Sequence, residues 1–326
     1  MTFGLVRLAR KLFYLSGPAP RHIDIEISTR CNLQCPMCRR QTVDYGDKLM
    51  DYDLYRQIID GLPRNVELVS LGGYGEMLLH PRYFEMVNYA AAKGLYIQTT
   101  SNGTALGSEK QVQELLRCGL DRLHVSVDYI RPPSAPIPLG HPFSSDVIRN
   151  LAVFAGQLRS RRAKLSLGIN CVVHAGNIDQ IKELLAYAAT NGLDFVELIP
   201  LDDNENHAER LLDPTREIAL YRRVKSAKLG IRVITPLNRF PAWRRVFHMG
   251  RPFCHFRQQM LHINVDGGVT LCPYGFSHTH FGKIQISSLQ EIWRSPRVAA
   301  LRKNPFNETC KECRIFTCSA KGIAQQ

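Results

Sequence analysis

No apolar run in the 326-residue chain approaches twenty residues, so no segment is long enough to cross a bilayer as a helix. A secretory signal is missing too. In the opening stretch MTFGLVRLARKLFYLSGPAPR, Arg7, Arg10 and Lys11 interrupt the apolar residues, and no proper h-region precedes Ala19. Residues 1–21 read as a short basic amphipathic helix ended by Gly17-Pro18 and packed against the body. Without an export signal the expected location is the cytoplasm, where ten cysteines point to metal or redox chemistry and not to disulfides. Also absent are a recognition-helix pattern and the C…H spacing of zinc fingers. The formal net charge of +13 comes from scattered Arg and Lys, which argues against a nucleic-acid partner. Such a charge fits an anionic small substrate or simple solubility.

With 44% hydrophobic residues there is ample material for a packed core. Strand-like and helix-like segments alternate along it. IDIEIS (23–28), VELVSL (66–71), LYIQTT (95–100), RLHVSV (122–127), KLSLGINCVV (164–173) and DFVELIPL (194–201) read as strands. Between them lie amphipathic stretches, several closed by glycine, as at Gly94. Six β-then-α units in order mean parallel strands with right-handed crossovers. Periodicity alone leaves a barrel and an open doubly wound sheet equally possible. The Pro-rich RPPSAPIPLGHP (131–142) follows the fourth strand on the face where α/β proteins bind ligands, and reads as a covering loop or a surface excursion. From about residue 236 the pattern changes. MLHINVDGGVTLCP reads as a hairpin around Asp266-Gly267-Gly268, SLQEIWRSPRVAALRKN as one helix capped by Ser287 or Ser288, and CKECRIFTC follows. The expected division is 1–21, 22–235 and 236–326.

CNLQCPMC places Cys31, Cys35 and Cys38 directly after the first strand. Three thiols are too few for a closed structural zinc site, which takes four ligands. They suffice where one metal corner must stay open, and thiolates select iron–sulfur clusters or zinc. At this point C-x3-C-x2-C resembles the signature of the radical S-adenosylmethionine (radical SAM) superfamily. GGYGEMLLHP (72–81), TTSNG (99–103), VSVD (125–128) and GINCVV (168–173) resemble that family's later strand-end motifs, in order. The resemblance implies a partial (β/α)6 TIM-like barrel with a small C-terminal β-hairpin plus helix Fe–S module. It implies a [4Fe–4S] cluster on Cys31, Cys35 and Cys38, its fourth iron open to S-adenosylmethionine. The cofactor would lie against Met37, Gly72, Gly73, Gly75, Glu76, Ser101, Asn102, Ser126, Asp128 and Asn170. G-G-Y-G-E departs from the usual Gly-Gly-Glu. This leaves open whether Gly72-Gly73 or Gly75 with Glu76 meets the methionyl group.

Cys254, Cys272 and Cys310-x2-Cys313 resemble the twitch form of the family's SPASM domain, which implies one auxiliary [4Fe–4S] cluster on those four thiolates. A four-thiolate zinc ribbon uses similar spacing. Cys318 is the spare, an alternative to Cys313, a hydrogen donor or a buried thiol. Cys118 ends a helix and reads as core; Cys171 follows an inward Asn170 and so should turn outward into packing. Alternation directs Glu26, Gln98, His124, Ser126, Asp128 and Glu197 into the barrel, and puts Tyr74 and Tyr129 on loops at its mouth. His124 reads as a base or as a hydrogen-bonded core histidine, so no catalytic residue is assigned.

In this family a reduced cluster cleaves S-adenosylmethionine to a 5′-deoxyadenosyl radical that takes hydrogen from an unactivated C–H, and the protein supplies positioning and exclusion of water. A flavodoxin- or ferredoxin-type electron donor is implied. Only residues 1–21 precede the first strand, so a fused leader-binding domain is not expected. The reading is therefore a small-molecule enzyme that dehydrogenates, epimerises or decarboxylates a sugar, aminocyclitol or nucleoside sugar acid in natural-product biosynthesis. The CxxxCxMC form also occurs in a nucleoside-antibiotic decarboxylase of the family. A SPASM-type peptide-modifying maturase is the alternative, and a structural Fe–S or zinc nucleic-acid-binding protein a further one.

Overall fold

The computed structural model describes residues 19–41, 44–133, 140–201, 211–227, 229–236, 258–273 and 280–303. Seven strands follow one another in order: β1 (His22–Ile25), β2 (Leu68–Leu71), β3 (Tyr96–Ser101), β4 (Arg122–Ser126), β5 (Ser166–Val173), β6 (Phe195–Pro200) and β7 (Arg232–Ile234). Each is parallel to the next, as βαβ crossovers require. The helices between them are α1 (Tyr52–Asp60), α2 (Tyr83–Ala92), α3 (Glu109–Arg117), α4 (Ser145–Ser160), α5 (Ile181–Thr190) and, before β7, α6 (Pro214–Ser226). Their starts are set by local chemistry. Asp51, Ser108, Ser144 and Asp213 each accept backbone N–H groups of the first turn, and Pro214 follows Asp213 where no N–H is needed. Gly94, just past α2, takes φ +75°, the left-handed stop its position led us to expect.

The strands are apolar toward the helices and polar toward the barrel interior. Ile23, Ile25, Val69, Leu71, Ile97, Val125 and Ile169 are fully buried beneath the helices. The opposite face carries Asp24, Ser70, Gln98, His124, Asn170 and Glu197. Register lines these up: Asp24 pairs with Ser70 and Ser70 with Gln98, while Ser126 pairs with Asn170 and Asn170 with Glu197. A polar lumen costs burial energy unless it holds something, so the pattern marks where ligands go. Cys171 is completely buried on the helix side, as its alternation with Asn170 requires, and Cys118 is half-buried at the end of α3.

The C-terminal hairpin, β8 (Met260–Ile263) and β9 (Gly268–Thr270), forms as the Asp-Gly-Gly turn predicts. It joins the barrel sheet. β8 pairs in parallel with β1, and β10 (Gly282–Lys283) follows, so one ten-stranded sheet runs β10-β9-β8-β1 through β7. Among the described residues the expected single helix after Ser287 is two: α7 (Leu289–Arg294), with a capping box between Ser288 and Glu291, and α8 (Pro296–Lys303). Pro296 has no N–H to continue α7 and instead opens α8. The basic N-terminal segment before residue 19 lies outside the described residues.

Candidate active site

The loop after β1 turns on itself, with Cys38 N–H donating to Cys35 O at 3.0 Å, and brings Cys31, Cys35 and Cys38 to one cavity of about 290 Å³. All ten residues expected to meet the cofactor line that same cavity, Met37 among them. The donors suit an iron–sulfur cluster. Burial first, then the neighbouring Cys38, Asp128 and Cys31, pushes the Cys35 thiol up to about 12, and burial also raises Cys38. Without a bound cation these groups stay protonated at neutral pH; an iron centre is what would hold them as thiolates. Cys31 Sγ also receives Leu33 N–H at 3.5 Å and Asn102 Nδ2 at 3.9 Å, contacts of the kind that tune cluster sulfurs. Among the described residues no three His, Cys, Asp or Glu converge on a single-ion point.

The glycine loop after β2 forms the next wall. Gly73 has φ +147°, and a Cβ there would lie 2.5 Å from Glu26 Oε1. Gly75 is pressed on backbone instead, its Cβ position 2.2 Å from Ser28 O. Glu26, buried, accepts Tyr74 N–H at 2.9 Å and so carries the loop from beneath. Its carboxyl is pushed up by burial, against the lowering pull of His262. Glu76 is buried and already engaged: it accepts Leu78 N–H at 3.2 Å and Asn102 N–H at 2.6 Å, tying this loop to the one after β3. Gly72, Gly73, Gly75 and Glu76 all line the cofactor cavity.

Asp128 is wholly enclosed and pushed up to about 7 by burial, against the backbone donors of His141 and Val172. Those amides hold its two oxygens at 2.5 and 2.7 Å, which stitches the end of β4 to the Pro-rich insert and to β5. Asn170 Oδ1 is shielded from solvent and has no hydrogen-bond partner, so it awaits a donor from a bound molecule. Tyr129 is buried, packed edge-on to His174 at 5.5 Å, and does not stand at the mouth as expected.

A second cavity of about 260 Å³ lies inside the barrel and shares Gly72, Gly73, Tyr74, Thr100, Asn170 and Ile199 with the first. Gln98, His124 and Glu197 line it as alternation predicted; His22, Asp24 and Ser70 were not foreseen. HIDIEIS contains the signal, since Asp24 and Glu26 share a face. Glu26 itself faces the adjoining hollow under Tyr45 and His262 instead. His22 Nε2 and Gln98 Nε2 converge on Ser70 Oγ at 2.6 and 2.7 Å. His124 Nδ1 stands 3.6 Å from Glu197 Oε2, beyond hydrogen-bond length, and its ring meets Phe195 edge-on at 4.8 Å.

Strand β8 adds His262, buried, whose Nδ1 is 2.7 Å from Asp24 Oδ2. Burial disfavours its charge, yet the bond to Asp24 and the charges of Asp24 and Glu26 raise its pKa overall. Tyr74 reaches the same C-terminal segment. Its hydroxyl donates to Pro273 O at 2.6 Å, beside Cys272, and its ring stacks on Tyr45 at 4.7 Å. Cys272 is half-buried; Cys254, Cys310, Cys313 and Cys318 lie outside the described residues.

Comparison with known proteins agrees with this geometry. Residues 25–155 match the Radical SAM superfamily and residues 254–314 the SPASM iron–sulfur cluster-binding domain. The chain is 28% identical to the tungsten-containing aldehyde ferredoxin oxidoreductase cofactor-modifying protein of Pyrococcus furiosus, over 90% of this chain and 87% of that protein. It is 26% identical to the PqqA peptide cyclase of Xanthomonas campestris, over 91% of this chain and 80% of that one. The fold is similar to Streptococcus suis SuiB bound to the precursor peptide SuiA, with a TM-score of 0.70, 16% identity, and 95% of this chain and 73% of that one covered.

The chain thus carries a radical SAM domain and a SPASM domain, and is a radical SAM enzyme. Its cofactors are S-adenosylmethionine, a [4Fe–4S] cluster and the auxiliary iron–sulfur centre that a SPASM domain carries. No described helix is long and apolar enough to cross a membrane.

The net charge of +13 was read as suiting an anionic small substrate or simple solubility. Arg39 lines the outer cavity, and among the described residues no Lys or Arg lines the inner one. Two of the relatives are named for peptides, which favours the maturase alternative over the small-molecule branch.

Proposed function

We propose that this enzyme modifies a peptide, taking hydrogen from a C–H bond of a side chain that enters the barrel. One observation carries the reading: the cofactor cavity shares Gly72, Gly73 and Asn170 with a polar chamber that no Lys or Arg among the described residues lines. That chamber suits one side chain of a longer molecule and does not suit a free sugar acid. Similarity to a peptide cyclase over nine-tenths of the chain supports it. When bound, the cluster and S-adenosylmethionine supply the hydrogen-abstracting radical.

The chain's own residues do the positioning. When S-adenosylmethionine is bound, Gly72-Gly73 would present backbone to its methionyl end, Asn170 Oδ1 would accept from its sugar, and Met37 would pack against its base. Glu26 and Glu76 brace the loops that carry these contacts. A flavodoxin- or ferredoxin-type protein would supply the electron.

The test is 5′-deoxyadenosine release by the anaerobically reconstituted, reduced protein. Short peptide libraries should stimulate it, whereas aminoglycoside and nucleoside panels should not. Stimulation confined to the small molecules sinks the peptide reading.

A further inference from the structure

The Pro-rich insert after β4 returns to the barrel at Gly140-His141, and there it meets the cofactor cavity. His141 is buried, lines that cavity, and donates its main-chain N–H to Asp128 Oδ2 at 2.5 Å. Gly140 packs so closely on the same carboxylate that a Cβ would lie 2.4 Å from Asp128 Oδ2. The other oxygen, Asp128 Oδ1, holds Val172 N–H at 2.7 Å. His141 and the end of β5 are thus fixed to one enclosed group.

The ring of His141 has one nitrogen in use. Nδ1 lies 3.1 Å from Pro142 O, and because a carbonyl only accepts, Nδ1 carries the hydrogen there. Burial pushes the ring below its ordinary 6.5, against the pull of the Pro142 and Asn102 carbonyls. A ring so placed is neutral near pH 7 and has a single hydrogen, which leaves Nε2 as an acceptor. Nε2 is shielded from solvent and makes no hydrogen bond of normal geometry. Asn170 Oδ1, on the strand joined to the same carboxylate, is a second acceptor in that condition, and both residues line the cofactor cavity. Two shielded acceptors without donors are costly unless a bound molecule brings the hydrogens. S-adenosylmethionine has an amino group, a base amine and a ribose diol to give. The diol alone offers two separate O–H groups on adjacent carbons, one for each acceptor. We infer that the Pro-rich insert forms part of the cofactor site, with His141 Nε2 accepting from one ribose hydroxyl of S-adenosylmethionine and Asn170 Oδ1 from the other. His141 is then a positioning residue that fixes the sugar, and with it the 5′ carbon. This rests on the placement of Asn170 given above and is independent of the substrate's class.

Equilibrium dialysis on the anaerobically reconstituted, unreduced protein compares S-adenosylmethionine with its 2′-deoxy and 3′-deoxy analogues, so that binding is read without turnover. Wild type should hold each analogue about fivefold to tenfold more weakly than the parent, the range that loss of one neutral hydrogen bond gives. At equal iron content, His141→Leu should lose that preference against one analogue and keep it against the other, and Asn170→Ala should show the reverse. His141→Gln, whose amide oxygen can still accept, should keep part of the preference that His141→Leu loses. A mere packing role for His141 would weaken all three ligands alike and leave both ratios intact, which overturns the inference. Wild type that holds both analogues as tightly as the parent also overturns it, and this panel decides by itself should no variant fold. If His141→Leu keeps both ratios while Asn170→Ala loses one, the role of the insert falls and the placement of Asn170 stands. If His141→Leu loses one and Asn170→Ala none, His141 holds the sugar and the placement of Asn170 falls.

Discussion

The outer and inner cavities share a wall yet are built by different means. The outer one is assembled from loops at the strand ends, where short motifs collect cysteines, glycines and backbone amides at fixed spacings. The inner one is assembled from side chains of six parallel strands, β1 to β6, without a shared motif and aligned only by register. Loops that hold a common cofactor can be written as local words in the sequence. A chamber that holds a particular substrate is written one residue per strand. The C-terminal segment touches both: His262 backs Asp24 beneath the inner cavity, and Pro273 receives Tyr74 from the loop that divides them.

That contrast can be broken at the outer cavity first. Cys35→Ala removes a thiolate from the site, and 5′-deoxyadenosine formation should fall by well over ~100-fold, beyond what losing an outer-shell contact costs. Iron analysis of the reconstituted variant should show the loss at that cluster.

The next largest effect falls on the C-terminal clamp. His262→Leu leaves Asp24 buried without its partner, which should cost about 3–5 kcal/mol in chemical denaturation. The wild type carries the matching pH signature. His262 has a folded pKa above its ordinary 6.5, so its stabilisation is complete below 6.5 and is lost as pH rises through the higher folded value. Denaturation midpoints should decline over that window in wild type and stay flat there in His262→Leu.

Gly73→Ala puts a Cβ 2.5 Å from Glu26 at φ +147°. Strain of about 1–3 kcal/mol should appear as weaker S-adenosylmethionine binding by equilibrium dialysis, with iron content unchanged. Tyr74→Phe is the mildest. It deletes one hydrogen bond to Pro273 and keeps the stack on Tyr45, a loss of about 0.5–1.5 kcal/mol. Because Pro273 adjoins Cys272, the electron paramagnetic resonance of the auxiliary centre should shift while that of the three-cysteine cluster does not. Shifts in both would blur the distinction between the regions.

These differences explain what could be read in advance. The six barrel strands were legible to within a few residues, because each is an apolar run flanked by capped helices. The outer site was legible because its motifs are contiguous: Cys31 to Cys38, Gly72 to Glu76, Ser101-Asn102. The inner site was half legible. Gln98, His124 and Glu197 follow from alternation, but His22 and Ser70 carry no mark that distinguishes them from ordinary strand residues. His262 was illegible for another reason: nothing in MLHINV says that this strand will lie beside β1. The break at Pro296 was visible in the letters and was overridden by the helical pattern on either side.

Strand β1 is central to the sheet, yet one of its two neighbours is made 238 positions later, the separation of Asp24 and His262. At the usual pace of translation, about 5–20 residues per second, the nascent chain exposes that strand's flank for on the order of ten to fifty seconds. During that time its unpaired amides and carbonyls are open to any passing extended segment. Assembly of this protein in the cell is thus a race between arrival of the final hairpin and capture by a stranger, and chaperone dependence should concentrate in that interval.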